Sequence, residues 1–250
     1  VARSTLAREA SRNALTKAMI ERLTQSVREL AVNKQIRIIE FAAEGPVFCA
    51  GMDLAEMQQR ASAENGPAEW LEDSLVYRDM LLAILQAPQP TLAVVQGPAI
   101  AGGVGIALAC DLVLAAEDAN FALPEPQRGL TASMVTPLLI FRVGAGPASR
   151  LLLSGRPASA AEMCHWGGCH QVVARDQLAA AAAEWTTSVL SGSPGALAAT
   201  KKQIHEHANM HLADQLQRAA HQSAEARNSA DAREGLQAFL DKRKPNRTPQ

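Results

Sequence analysis

Two rhythms of apolar residues alternate along this chain. Leu15, Met19, Leu23, Val27 and Leu30 return every three to four residues, which predicts a helix capped by Asn13 and running to about Val32, with one buried face. Ile36, Ile38, Ile39 and Phe41 then crowd into residues 35–43, a strand. Glu44-Gly45-Pro46 is a turn, and Asp53 reads as the cap of the next helix. Residues 58–68 are polar and include Gly66-Pro67, so a mobile loop is expected there. Residues 70–85 are helical, and Pro88 and Pro90 end that helix ahead of an apolar strand at 91–96. Gly97-Pro98 breaks the strand, and Ala101-Gly102-Gly103 leads into a small-residue helix at 104–109. Strands follow at 112–116 and 120–123, helices at 132–143, 147–153 and 160–166, and a short strand at 171–173. From there the pattern is helical only, at 176–190, 194–208, 212–226 and 229–243. Strand followed by helix, about four times over, and then helices alone argues for a layered α/β core with a helical C-terminal subdomain. The break at Ser191-Gly192-Ser193-Pro194-Gly195 divides the chain into residues 1–192 and 193–250. There is no repeat of fixed period.

The stretch 91–111 is the one the rest is organised around. A glycine pair opening a helix leaves backbone N–H groups without intrahelical acceptors, and the aligned peptide dipoles favour negative charge there. Three readings fit such a turn. Dinucleotide binding wants a third glycine or an alanine, where Leu108 stands, and an acidic residue about 20 residues further on at a second strand end. An oxyanion hole wants N–H groups aimed at a polarised carbonyl. A plain packing turn wants only small residues. A second small-residue turn, Ala50-Gly51-Met52, also joins a strand to a helix. If the two strands are neighbours, both turns emerge on one sheet edge, and their N–H groups can converge on one carbonyl oxygen.

Composition narrows the partners. The chain has 250 residues, 48% of them hydrophobic, enough for one large core. Its net charge is −1 with no basic block, which argues against nucleic acid as a partner. No apolar run reaches the ~18 residues that span a bilayer, so no membrane is expected. The polar N-terminus carries no signal-peptide core, and it begins inside what reads as a short strand, as if an upstream piece were missing. Four cysteines (Cys49, Cys110, Cys164, Cys169) in a chain this long do not make a disulfide framework, and a reducing cytoplasm is expected.

Five motifs in order then resemble one family. FCAGMDL (48–54), GPAIAGGVGIALACDLVLAAE (97–117) and FALPEPQRGL (121–130) resemble the crotonase superfamily, that is, the enoyl-CoA hydratase/isomerase family. Arg12-Asn13-Ala14-Leu15 resembles its early RNAL element, and Phe239 to Pro245 its C-terminal FLEKRKP. The pattern is closest to bacterial hydratases of branched, glutaconyl-type CoA esters. The resemblance implies a spiral of ββα repeats with a helical C-terminal subdomain. It implies homotrimers or dimers of trimers, with the helical tail completing the neighbour's site. It also implies an acyl-CoA substrate, with coenzyme A entering only as part of it and no further cofactor.

Carried over residue by residue, the oxyanion donors are the N–H groups of Met52 and Gly102, and Glu125 is the general acid/base. The backbone at Ala50, Asp53 and Leu54 would line the CoA channel, with Gly103 beside it, and Lys242 resembles a residue that contacts CoA phosphates. Two departures stand out. Gly105 occupies the place of the family's first glutamate, and Ala101 replaces the first glycine of its glycine run. The expected reaction is hydration of a 2-enoyl-CoA through an enolate. The alternatives are Δ3/Δ2 isomerisation by the single glutamate, or a CoA-ester-binding scaffold without activity. Apolar neighbours Phe121, Leu123 and Leu130 are expected to raise the pKa of Glu125 toward neutrality. Arg128 could meet a second carboxylate on the acyl group or simply be exposed. Cys49 reads as a buried filler beside the turn, with nucleophile as the alternative. Cys164, His165, Cys169 and His170 lie too close together to wrap one zinc ion easily, so no metal is expected. His205, His207 and His211 read as a solvated helix face.

Overall fold

The computed structural model describes residues 1–61, 66–208 and 211–246. Its elements in order are β1 (Ala2–Leu6), α1 (Lys17–Val32), β2 (Ile39–Ala43), α2 (Leu54–Ala61), α3 (Gly66–Gln86), β3 (Thr91–Val95), β4 (Ala99–Ile100) and α4 (Gly102–Ala109). There follow β5 (Leu112–Ala116), β6 (Asn120–Ala122), a 3₁₀ turn (Glu125–Arg128), α5 (Val135–Val143), α6 (Ala145–Ser154), β7 (Ala158–Ser159), α7 (Ala160–His165) and β8 (Gln171–Val173). The tail holds α8 (Leu178–Ser191), α9 (Pro194–His207), α10 (Leu212–Arg227) and α11 (Ala230–Leu240).

β3 and β5 carry apolar side chains on both faces, as strands covered on both sides require. They lie in a five-stranded sheet of order β1-β2-β3-β5-β8 in which every pair is parallel. A second sheet runs β4-β6-β7, and a bridge between Cys49 and Ala99 extends it. From β2 to α5 each circuit of the chain therefore lays one strand on the large sheet, the next on the small one, and then a helix. This is the crotonase spiral. Phe41, Phe48 and Phe121 fill the space between the layers, each at most 2% exposed. Burying side chains of this size stabilises the fold by roughly 1.5–3 kcal/mol apiece.

Several elements differ from expectation. Asn13 does not cap α1. It is fully buried in a left-handed conformation, and its side chain ties down the next loop by donating to the carbonyls of Glu44 and Val47, 2.8 Å each. Thr16 is the cap, accepting from the Met19 N–H. The strand expected from residue 35 begins at Ile39, because Asn33 closes a turn with the N–H groups of Gln35 and Ile36. The loop expected at 58–68 is largely helical, with α2 reaching Ala61 and α3 opening at Gly66, while residues 62–65 lie outside the described residues. α5 starts three residues late, since Ala132 makes a turn whose carbonyl takes the N–H groups of Val135 and Thr136.

The tail is bound to the core through α10, whose Leu212, Leu216, Ala219 and Ala220 belong to the main apolar cluster. α9 adds an ion pair, with Lys201 Nζ 2.7 Å from Asp111, a residue that also takes the Thr91 N–H and hydroxyl. His207 and His211 are exposed as expected, but His205 is half-buried, edge-on to the Phe141 ring.

Candidate active site

β2 and β3 are neighbours, so the turns that follow them share one edge of the sheet. In the first turn, Leu15 grips the backbone on either side of Met52. The Leu15 N–H donates to Gly51 (2.8 Å) and the Leu15 carbonyl accepts from the Asp53 N–H (2.9 Å). Gly51 sits at φ +85, a left-handed conformation that suits glycine. The Met52 N–H is left over. In the second turn, the Ala101 N–H donates to Ala122, and Gly102 opens α4. An N–H in the first turn of a helix has no intrahelical acceptor. Neither the Met52 nor the Gly102 N–H meets an acceptor among the described residues. The turns are in contact: a Cβ at Gly51 would lie 3.4 Å from the Gly102 nitrogen.

Glu125 reaches the same place from below. Buried β6 delivers it, and Pro124 and Pro126 hold it at the start of the 3₁₀ turn, where a proline ring is tolerated. α11 clamps this turn so closely that a Cβ at Gly235 would stand 2.0 Å from the Arg128 carbonyl. Met52, Gly102 and Glu125 all line one cavity of about 70 Å³. Ala50 and Leu54 line it too. Glu125 Oε2 is buried there with no hydrogen-bond partner among the described residues. Burial is the main cause that pushes its pKa from 4.5 up to about 7, with a hydrogen bond from its own backbone N–H, Arg128 and Arg227 pulling the other way.

The other expected residues are placed as follows. Asp53 turns away from this cavity: it caps α2 through the Ala55 N–H and pairs with Arg8 at 3.2 Å. Gly103 faces backward onto Cys49. Lys242 is exposed beyond the end of α11. The Cys49 thiol is fully buried, which pushes its pKa up to about 12 and removes the nucleophile reading. Cys169 is buried and His170 Nδ1 accepts the Val113 N–H, as befits a helix–strand connection. Arg128 is half-buried, 4.3 Å above the Phe239 ring and lining the cavity, so it is not simply exposed.

Sequence reasoning missed three residues here. Ser223 and Arg227 reach in from α10, so the tail helix lines the cavity of its own chain. Arg227 is half-buried, 3.4 Å from the Ser74 hydroxyl, and burial lowers its pKa to about 10. The third is Tyr77, the chain's only tyrosine, which α3 buries against α4. A glycine in mid-helix at 105 was the available signal, since such a residue often marks a close approach.

Comparison with known proteins agrees with this architecture. A family model for enoyl-CoA hydratase/isomerase matches residues 1–250. The 2,3-dehydroadipyl-CoA hydratase of Escherichia coli (strain K12) is 33% identical over 244 residues, covering 97% of this chain and 92% of that protein. The crystal structure of an enoyl-CoA hydratase from Mycobacterium avium subsp. paratuberculosis K-10 superposes with a TM-score of 0.87 at 30% identity, over 99% of this chain and 94% of that one. An enoyl-CoA hydratase/isomerase from Pseudoalteromonas atlantica T6c gives 0.85 at 28% identity, over 98% and 95%. The chain therefore belongs to the enoyl-CoA hydratase/isomerase family of the crotonase superfamily, and it is an enzyme of that family.

Proposed function

We propose that the protein adds water across the double bond of a 2-enoyl-CoA thioester to give the 3-hydroxyacyl-CoA, with no cofactor beyond the coenzyme A of the substrate. The observation that carries this reading is the buried Glu125 Oε2, which has no hydrogen-bond partner among the described residues, in a residue that lines the same cavity as Met52 and Gly102, whose N–H groups meet no acceptor there. In the reaction, a water oxygen bonds to the β carbon while Glu125 takes one of its protons. The double-bond electrons move to the α carbon and thioester oxygen, and the two N–H groups hold the resulting enolate. Glu125 then returns the proton to the α carbon and the carbonyl re-forms. Each such N–H is worth about 3 kcal/mol of transition-state stabilisation. Ala50 and Leu54 lie where the pantetheine arm would enter, beside the Met52 N–H.

One observation favours a second reading. Glu125 is the only carboxyl lining the cavity among the described residues. A single carboxyl suffices to carry a proton between C2 and C4, which is Δ3/Δ2 isomerisation.

The test is a panel of enoyl-CoA esters, following loss of the conjugated thioester absorbance and identifying the product. A 3-hydroxyacyl-CoA supports hydration. A shifted double bond supports isomerisation and overturns hydration. Binding without turnover across the panel leaves a CoA-ester-binding scaffold.

A further inference from the structure

The space that a side chain at position 105 would take is already occupied. A Cβ built on Gly105 would lie 2.1 Å from the Tyr77 hydroxyl oxygen. No side chain fits there unless Tyr77 moves, so the glycine and the tyrosine form one feature. Tyr77 is 2% exposed, and the surface it does show is part of the cavity wall that also carries Glu125. Its hydroxyl donates a 2.6 Å hydrogen bond to the Gly102 carbonyl. That bond fixes the direction of the O–H. The oxygen keeps its acceptor lone pairs, and these meet no donor among the described residues. The oxygen can therefore still accept a hydrogen bond from a group that enters the cavity. Burial, together with the nearby Cys49 and Glu125, pushes the phenol pKa well above its ordinary value. Tyr77 therefore stays protonated and keeps its grip on Gly102.

We propose that the Tyr77 oxygen holds the reacting water, in the space that a side chain at position 105 would take. This rests on the hydration reading above. The water donates one hydrogen to Tyr77 and the other to the Glu125 carboxylate, which aims its oxygen lone pair at the β carbon. Tyr77 neither gains nor loses a proton. The proton that Glu125 removes is the one it returns to the α carbon, so one water is added and nothing else changes. The same chemistry explains how the single glutamate that lines this cavity among the described residues can serve. The second group is needed only to orient water, and a fixed phenol oxygen can accept a hydrogen bond as a carboxylate does.

The experiment is Tyr77→Phe, which removes one oxygen and keeps the ring. Two activities are measured on wild type and variant. One is hydration of an enoyl-CoA. The other is exchange of the α hydrogens of a saturated acyl-CoA into deuterated water, which needs Glu125 and the two N–H groups but no held water. The expected result is a loss of about 10²-fold in kcat for hydration, the usual scale for a positioned polar group, with exchange retained within a few fold. Parallel loss of both activities means that Tyr77 only props the Gly102 carbonyl, and overturns the proposal. Unchanged hydration in the variant overturns it as well. A wild-type protein that exchanges α hydrogens but hydrates no ester in the panel overturns the hydration reading itself, and the water-holding role with it.

Discussion

A Cβ built on Gly103 would stand 2.5 Å from the carbonyl oxygen of Cys49, so the turn that carries Gly102 and the strand end that leads to Met52 touch through a bare glycine. Cys49 cannot yield easily. Its carbonyl accepts the Ile100 N–H at 2.8 Å, and its own N–H is held by Pro98. A methyl group at 103 must therefore wedge the two turns apart. A misplacement of about 1 Å in a reacting geometry costs on the order of 10²-fold in rate. Gly103→Ala should lower kcat by about that much while the protein remains folded, as judged by circular dichroism. Gly146→Ala is the control, since a Cβ there meets nothing within 4 Å, and it should leave kcat unchanged. Equal rates for wild type and Gly103→Ala would mean that the spacing of the turns does not matter.

Ala101 is strained. Its φ of +52 with ψ −118 lies in a region that L residues rarely adopt, and it is held there by the Ala122 carbonyl on one side and α4 on the other. Such strain costs roughly 1–3 kcal/mol and collects at functional sites. Replacing it with glycine removes the strain but gives the unfolded chain more freedom, which offsets about 0.5–1 kcal/mol. Ala101→Gly should therefore raise the urea midpoint, by an amount equivalent to about 1 kcal/mol, with hydration unimpaired. A lower midpoint would show that the alanine methyl contributes more by packing than the backbone loses.

The spiral was legible because its signals are local. The strands at 112–116 and 171–173 stand where apolar runs and turn residues put them. Glu125 drew attention because the FALPEPQRGL motif resembles the family's and two prolines fix its backbone. What escaped depended on contacts distant in sequence. Tyr77 lies 28 residues before the glycine it fills, and its helix carries apolar residues on most sides, so no stripe singles it out. Arg227 was not singled out, because helical spacing alone does not say that this end of α10 meets a cavity. Only the packing of α10 over the cavity turns it inward. Asn13 was misread for a related reason. Asn before a helix is a good cap, but the two carbonyls of the 44–47 loop compete for its side chain and win.

Lys201 offers a test of how the tail is held. Its ammonium is buried, 2.7 Å from Asp111, and also reaches the carbonyls of Ile84 and Gln89 at 3.3 Å. Removing one partner of a buried ion pair leaves the other charge uncompensated and costs about 3–5 kcal/mol. Asp111 keeps the Thr91 N–H and hydroxyl as donors, which places the expected loss at the lower end of that range. Lys201→Met should lower the unfolding free energy by about 3 kcal/mol. It touches nothing in the cavity, so kcat at low temperature should be that of wild type. A loss below about 0.5 kcal/mol, ordinary for an exposed substitution, would mean that the pair is solvated in solution.

Glu125 should write its ionisation into both rate and stability. In the proposed hydration the carboxylate takes the first proton, and the pKa of that group is raised from 4.5 to about 7. kcat/KM should therefore rise about tenfold per pH unit up to 7 and level off above it. Glu125→Gln should abolish this limb and lower kcat by about 10²-fold or more, and a variant keeping more than a tenth of the wild-type rate would remove the residue from the mechanism. The stability effect has a definite sign. A carboxyl with a folded pKa above its unfolded one favours the protonated native state, so its contribution is fully present below about pH 4.5 and is lost as pH rises through 7. The shift corresponds to about 3 kcal/mol. Glutamine stays neutral at every pH, so relative to wild type the variant should gain up to that much between pH 4.5 and pH 8. Urea midpoints for both proteins at the two ends of that range measure it. A difference independent of pH would mean that the carboxyl is solvated, and the general-base assignment would then lose its physical support.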